Sequence, residues 1–382
     1  MNLDSILRAE LAALEKTNLR RTLRVAETGM LNFAANDYLG LSHHPALIEA
    51  ARQATAQRST GAGASRLVTG TDREILALED QLAAWKETEA ALVFSSGYAA
   101  ALGTIPALVG KGDTVILDKL AHACLIDAAR LSGATVRTFP HNDMARLEAL
   151  LAKISPGKTR ILVVSESIFS MDGDAAPLRE LVELKDCYGA WLLVDEAHAT
   201  GLYGATGAGL VAETGLSPRV EIVMGTLSKA LGSVGGYIAG SRVLIDWLVN
   251  RARSFVYSTA LPPGVVAASR AAVKLCQQPE GASLRGHLWG NVARFHAGLP
   301  ARWKNGTLSS SAIQPLICGE ASAALELAST LREKGFLIPA IRYPTVPRHA
   351  ARLRVTLSAA HVGKDIDALN QALLLDASLD KR

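Results

Sequence analysis

The segment Gly225-Thr226-Leu227-Ser228-Lys229-Ala230-Leu231-Gly232 places a lysine shortly after the apolar run Glu221–Met224. A lysine amine that forms an imine with a carbonyl compound must be partly desolvated and closely approached by its partner. Thr226 and Ser228 precede Lys229, and Gly232, Gly235 and Gly236 follow it, where the absence of a Cβ lets backbone come near. Taken alone, the same residues also describe a surface lysine in a glycine-rich loop. A second apolar run, Trp191–Val194, ends in Asp195-Glu196-Ala197-His198. A carboxylate at a strand end can keep a pyridine nitrogen protonated, so that the ring accepts the electrons of a carbanion. Asp195 reads also as a helix N-cap and His198 as a structural histidine. An Asp-x-x-His metal pair would need further ligands, and none cluster with it in the sequence, so no metal is expected. A third turn, Phe94-Ser95-Ser96-Gly97-Tyr98, joins an apolar run to a helical pattern. Backbone N–H groups at such a helix start, with a small hydroxyl and a glycine, make a phosphate cradle, though many turns of this kind are purely structural. His122, after the run Thr114–Leu117, can stack on an aromatic ring or be hydrogen-bonded within the fold.

These turns need strands to hold them. Short apolar runs at Ala91–Phe94, Thr114–Leu117, Ile161–Ser165, Trp191–Val194, Glu221–Met224 and Gly236–Ala239 read as buried strands. Helical patterns such as Glu74–Lys86 and Leu178–Tyr188 lie between them. That alternation predicts an α/β fold with a mostly parallel central sheet covered on both faces, and ligands then bind at the carboxyl ends of the strands. After Leu261-Pro262-Pro263 an Ala-rich helical stretch leads to strand and helix signals at Ile313–Ile317, Ser322–Lys334 and Leu353–Leu357. The expected organisation is a helix and arm over 1–40, a large domain over 41–270 and a smaller α/β C-terminal domain over 271–382.

Composition narrows the function classes. With 49% hydrophobic and 20% charged residues the chain is globular rather than disordered or fibrous. A net charge of +4 without any Lys/Arg run makes nucleic acid an unexpected partner. Cys124, Cys187, Cys276 and Cys318 form no paired spacing, which favours a reducing, cytoplasmic setting over a disulfide framework. The first residues carry charge from Asp4 onwards and lack the apolar core of a secretory signal. Ala90–Gly110 is uncharged and long enough to span a bilayer, but it contains Ser95, Ser96, three glycines and Pro106. It is expected to be a buried strand, a turn and a helix, so no membrane association is expected. Gly61-Ala62-Gly63 and the glycines at 204, 207 and 209 lack the framing of a dinucleotide site, and neither a GxxxxGK[ST] nor a GxSxG motif occurs.

Together the motifs resemble the α-oxoamine synthases, fold-type I pyridoxal-phosphate (PLP) transferases. The resemblance runs from Asn32-Phe33 to about Asp367. It includes Asn36-Asp37-Tyr38-Leu39-Gly40, the 61–70 segment GAGASRLVTG, and Glu166-Ser167-Ile168-Phe169-Ser170-Met171-Asp172-Gly173-Asp174. VDEAHATG at 194–201 and TLSKALGSVGG at 226–236 complete it. The resemblance implies an imine between Lys229 and PLP, with Asp195 pairing with the pyridinium nitrogen and His122 stacking on the ring. His198 and Ser170 would serve the phenolic oxygen. Ser96, Gly97, Tyr98 and Thr226 would form the phosphate side, joined by Thr259 from the partner subunit of a homodimer. Arg342 would grip the amino-acid carboxylate with Asn36 nearby, and Arg20, with Arg21 beside it, would meet the far carboxylate of the acyl chain. The segment AIRYPTVP at 340–347 with Ala351-Arg352-Leu353-Arg354, and His141-Asn142-Asp143 after Pro140, look most like the biotin-pathway member of the family. That member would join L-alanine to a pimeloyl thioester, carried by coenzyme A or a carrier protein. A glycine-using member forming 2-amino-3-oxobutyrate would share every cofactor residue. A non-catalytic subunit of the same fold would typically lack the lysine, and Lys229 is present.

Overall fold

Uninterrupted apolar runs become strands buried on both faces, as a parallel sheet between helical layers requires. The computed structural model describes residues 2–23, 25, 28–154, 159–304 and 308–374. In chain order the strands are β1 (Leu31–Asn32), β2 (Ala90–Phe94), β3 (Thr114–Asp118), β4 (Thr135–Phe139), β5 (Ile161–Glu166) and β6 (Trp191–Asp195). They continue with β7 (Ile222–Thr226), β8 (Gly236–Gly240), β9 (Ile313–Gly319), β10 (Phe336–Leu337), β11 (Ala340–Ile341) and β12 (Ala351–Thr356). By internal packing the chain divides into two units, residues 37–170 with 174–287, and residues 1–36 with 171–173 and 288–382.

The larger unit is built on a seven-stranded sheet in the order β2-β8-β7-β6-β5-β3-β4. β8 runs antiparallel to β2 and β7, and the remaining pairs are parallel. The carboxyl ends of β2, β3, β5, β6 and β7 therefore open on one edge of the sheet, followed by the turns that carry Ser96, His122, Ser170, His198 and Lys229. Below that edge Leu117, Val164, Leu193, Met224 and Ile238 pack with Ala101 and Ile105 of helix Gly97–Leu108 and with Leu125 of helix Ala123–Leu131. The uncharged stretch from Ala90 is accordingly a strand, a turn and a helix. Among the described residues no helix is long and apolar enough to cross a membrane.

One strand of the seven-stranded sheet is absent from the sequence reading. β4 lies at the sheet edge, and Thr135, Arg137 and Thr138 are exposed, so its composition carries no apolar run. The C-terminal division also differs in position from the expected 270. Helix Pro263–Cys276 begins where the composition changes, yet it packs on helices Pro45–Gln57 and Arg73–Trp85 of the larger unit. The division by packing falls instead inside the next helix, Pro279–Gly298.

In the smaller unit β11, β12 and β9 form an antiparallel sheet, and β1 pairs with β10 in parallel. Helix Ala321–Glu333 covers the sheet with Ala323, Ala324, Leu327 and Leu331, one apolar stripe at helical spacing. The N-terminal residues belong here through Phe33, whose carbonyl accepts from Thr356 N–H at 2.8 Å and whose ring lies 4.1 Å from that of His361.

His141, noticed in the sequence only as part of a resemblance, has a structural job in the larger unit. Its Nδ1 lies 3.1 Å from the fully buried Asp118 at the end of β3, and its Nε2 lies 2.7 Å from Asp174. The ring stands edge-on to Phe169, with centroids 4.3 Å apart. Burial works against the charged imidazole, but hydrogen bonds to both carboxylates outweigh it and raise its pKa from 6.5 to about 10. A folded-state pKa above the unfolded value means stability that is complete below pH 6.5 and lost as pH rises towards about 10. Thermal unfolding followed across that window is expected to show a falling midpoint. His141→Gln should start lower and flatten the slope, and an unchanged slope would show that the ring is not charged in the folded protein.

Candidate active site

Lys229 is half-buried in the turn after β7, with Nζ 2.7 Å from Nε2 of the buried His198. Nδ1 of the same ring lies 2.6 Å from the hydroxyl of Tyr38, itself 1% exposed. Two proton arrangements fit this chain. Either Tyr38 donates to Nδ1 and Nε2–H donates to an unprotonated Lys229 amine, or the Lys229 ammonium donates to Nε2 and Nδ1–H donates to Tyr38. The tautomer of His198 is thus tied to the protonation state of Lys229.

The turn that presents Lys229 is held from within. Thr226 Oγ1 donates to the Gly235 carbonyl at 2.8 Å and accepts from Ser228 N–H at 3.1 Å, while Gly232 N–H donates to the Lys229 carbonyl at 2.9 Å. Gly232 has φ +61°, and a Cβ there would collide with the backbone of Leu41 and Ser42. At Gly236 a Cβ would lie 2.5 Å from the backbone nitrogen of Gly97, so only glycine lets the start of β8 approach the helix that begins there.

That helix, Gly97–Leu108, points its first N–H groups at the same edge of the sheet. Ser96 caps it, its hydroxyl accepting from Ala99 N–H at 3.0 Å, and the Tyr98 hydroxyl donates to Asp127. The Tyr98 O–H is thus committed to Asp127, whereas Ser96 uses only its oxygen as an acceptor, and the backbone N–H groups of the helix start make up the rest of the cradle. The Thr226 hydroxyl stands beside it, about 4.0 Å from where a Gly97 Cβ would be. Thr259 is exposed and forms a bridge with Ser65.

Asp195 ends β6 with only 4% exposure, and its Oδ1 accepts from Ala197 N–H at 2.9 Å. Burial pushes its pKa up, and Lys229 opposes that rise most strongly. His122 caps helix Ala123–Leu131 through Nδ1, at 3.2 Å from Cys124 N–H. Desolvation holds its pKa down, so the ring is neutral. Ser170 is buried beyond the end of β5. The larger unit therefore brings Lys229, His198, Asp195, His122, Ser170, Thr226 and the Ser96–Tyr98 turn to one sheet edge. Amine, buried carboxylate, neutral imidazole and anion cradle are the donor set that an aromatic aldehyde phosphate requires, so the residues present fit PLP. Among the described residues no group of three His, Cys, Asp or Glu side chains is arranged to hold a metal ion.

Arg342, Asn36 and Arg20 belong to the smaller unit. Arg342 Nη1 donates to the Asn18 carbonyl, and Asn36 Oδ1 accepts from Arg354 at 3.0 Å. Arg20 pairs with Glu15 at 2.7 Å, whereas its neighbour Arg21 reaches Thr345 Oγ1 at 3.2 Å, in the segment that carries Arg342.

Residues 28–373 match the family model of class I and II aminotransferases. The chain belongs to that family. A relative from Methylobacterium radiotolerans, named 8-amino-7-oxononanoate synthase, is 48% identical over 97% of this chain and 98% of its own length. Among solved structures, serine palmitoyltransferase of Sphingomonas wittichii superposes with a TM-score of 0.91 at 32% identity, over 99% of this chain and 98% of that one. The S. paucimobilis serine palmitoyltransferase with a bound PLP–myriocin aldimine gives 0.92 at 28% identity, over the full length of both. The chain is accordingly a PLP-dependent transferase of fold type I, with pyridoxal 5'-phosphate as its cofactor.

In this member of the family one support of the site escaped sequence reasoning. Glu196 turns away from Asp195, and its Oε2 meets Nζ of Lys86 at 2.8 Å, each side chain 1% exposed. Lys86 also donates to Thr200 Oγ1 at 2.9 Å and to the Ala208 carbonyl, while Glu196 Oε1 accepts from Val211 N–H at 2.8 Å. This cluster anchors the turn that runs from Asp195 through His198. The partners are 110 residues apart, and the acidic Asp195-Glu196 pair was the only visible signal. Removing one partner of a buried ion pair costs about 3–5 kcal/mol because the other charge is stranded. Lys86→Met is therefore expected to lower unfolding free energy by about that amount, read from denaturant melts. Adding Glu196→Gln should recover part of it, and a double variant no better than the single one would refute the pairing.

Proposed function

We propose that this chain joins L-alanine to a pimeloyl thioester with loss of carbon dioxide, giving 8-amino-7-oxononanoate and a free thiol carrier, a step of biotin biosynthesis. The observation that carries the reading is the near-full-length likeness to a curated synthase of that name, together with Lys229 held on His198 beside a buried Asp195. When bound, PLP supplies an aldehyde that takes up an amine and a protonated ring that accepts the electron pair of a carbanion.

The residues of the chain divide the remaining work. Asp195 provides the negative charge that keeps the ring nitrogen protonated, and neutral His122 packs on the ring face without adding charge. His198 and Ser170 attend the phenolic oxygen, and the Gly97 and Tyr98 N–H groups with Thr226 hold the phosphate. Thr259 completes the phosphate site from the partner subunit of a homodimer. Arg342 holds the alanine carboxylate as a two-point fork, with Asn36 as its neighbour. Lys229 takes the proton from the alanine α-carbon, and its hydrogen bond to His198 sets when its amine is free to do so. A bond then forms between that carbon and the thioester carbonyl, and the thiol leaves. The carboxylate departs as carbon dioxide and a proton returns to the same carbon. Arg20 or Arg21 meets the far carboxylate of the acyl chain, Arg21 lying nearer the Arg342 segment.

Asp195→Asn removes the charge and keeps the shape. Losing one member of a buried charge pair costs about 3–5 kcal/mol, so turnover should fall at least about a hundredfold. Near-normal turnover in that variant would reduce Asp195 to a cap. Substrate choice is tested by kcat/KM for alanine and glycine against pimeloyl, acetyl and long unsubstituted acyl thioesters. Alanine is expected to beat glycine by a factor set by one methyl group, about 1–3 kcal/mol. Pimeloyl is expected to beat both neutral chains, and that preference should shrink in Arg20→Ala or Arg21→Ala. If glycine with an acetyl thioester is the best pair, the chain serves the glycine-using reaction instead.

A further inference from the structure

Tyr38 sits in the segment Asn36-Asp37-Tyr38-Leu39-Gly40, far along the chain from the residues it meets, and is buried. Its hydroxyl lies 2.6 Å from Nδ1 of His198, and Nε2 of that ring lies 2.7 Å from Nζ of Lys229. The same segment packs against both of the turns that carry those residues. A Cβ at Gly232, after Lys229, would collide with the backbone of Leu41 and Ser42, and one at Gly201, after His198, would meet Ala230 and Leu39. Phenol, imidazole and amine are therefore held together by the packing of three separate stretches of the larger unit. A neutral imidazole has one N–H and one bare nitrogen, so Nδ1 must do towards Tyr38 the opposite of what Nε2 does towards Lys229. A carboxylate in the place of the phenol could only accept, and an ammonium could only donate. A hydroxyl does both.

We propose that Tyr38 is a positioning residue for Lys229, its hydroxyl reversing between donor and acceptor so that the His198 ring stays on the amine in both of its protonation states. The proposal rests on Lys229 as the reacting amine. Such a lysine must be unprotonated to attack an aldehyde, and it carries a proton once it has acted as a base. With the amine free, Nε2–H donates to Nζ and Tyr38 donates to Nδ1. With an ammonium, Lys229 donates to Nε2 and Nδ1–H donates to Tyr38. Without the hydroxyl, Nδ1 loses this partner inside the protein in either state, which favours a ring that turns off Lys229. The other titratable groups acting on Lys229 are Asp195, Glu166, His122 and Cys124, while Tyr203 and Tyr38 act on one another. These set the pH range in which the amine titrates, and a change confined to the phenol leaves them in place.

The test uses the full-length chain with 4-aminophenylalanine at position 38, and separately Tyr38→Phe. The amino group keeps the ring and a donor but accepts poorly, so it favours the arrangement with the free amine. PLP is added to protein freed of it, imine formation is followed by absorbance across pH, and borohydride fixes the product for peptide mapping. The rate should reach half its maximum at a lower pH with 4-aminophenylalanine than in the wild type. A tyrosine that only fills space would leave that profile unmoved, and an unmoved profile overturns the proposal. In the wild type, ¹⁵N-histidine spectra should show the donor and acceptor nitrogens of His198 exchanging roles as Lys229 titrates, with His198→Gln identifying the signals. A His198 pattern that stays the same through that titration overturns the proposal too, and this measurement stands even if neither altered chain folds. Tyr38→Phe should lose the exchange and slow turnover about tenfold, the effect of leaving a buried nitrogen without its partner. Wild-type turnover in a folded Tyr38→Phe counts against the proposal. Borohydride fixing PLP on another lysine sinks the reading of the site itself, whereas labelling of Lys229 with an unmoved profile sinks this proposal alone.

Discussion

Keeping a carboxylate buried at the end of β6 is the constraint around which the larger unit is arranged. Asp195 is nearly inaccessible, and a lone charge in such a place would neutralise rather than persist. The sheet resolves this by collecting partners at one edge. Parallel strands place their carboxyl ends side by side, so Lys229 after β7 and the amide of Ala197 both act on the same charge. The electrostatic site is thus a consequence of strand direction before it is a matter of individual side chains.

The same economy extends behind the site. Successive residues Asp195 and Glu196 send their carboxylates in different directions, one towards the reacting edge and one onto Lys86. The inner pair has no access to solvent, and its hydrogen bonds reach Thr200, Ala208 and Val211. A turn anchored in this way cannot drift without stranding a buried charge. His198, three residues after Asp195, inherits that rigidity, and Tyr38 fixes the remaining freedom of its ring. The proton on Lys229 is then governed by a hydrogen-bond chain whose members are each held by packing.

Much of this was legible in the chain itself. Strands buried on both faces must be written as apolar runs, so β2, β3, β5, β6, β7 and β8 could be read directly, and Lys229 and Asp195 were visible because they follow those runs at once. The glycines after Lys229 carried their meaning too, since close backbone approach leaves few alternatives. β4 was hidden by its position at the edge, where composition is free to be polar.

The succession of strands and turns, and the residue types at their ends, are thus written into the chain. These are local properties, set by the periodicity of burial and the sterics of glycine. Which side chains share a field is settled only on folding. Nothing in the spacing of Lys86 and Glu196, or of Tyr38, His198 and Lys229, marks them as partners. Nor does it show that Glu166 and Asp195, at the ends of different strands, come to stand opposite one another. Those relations arise because charge interactions depend on distance and solvent exclusion, and both come into being only when β5, β6 and β7 lie side by side in register.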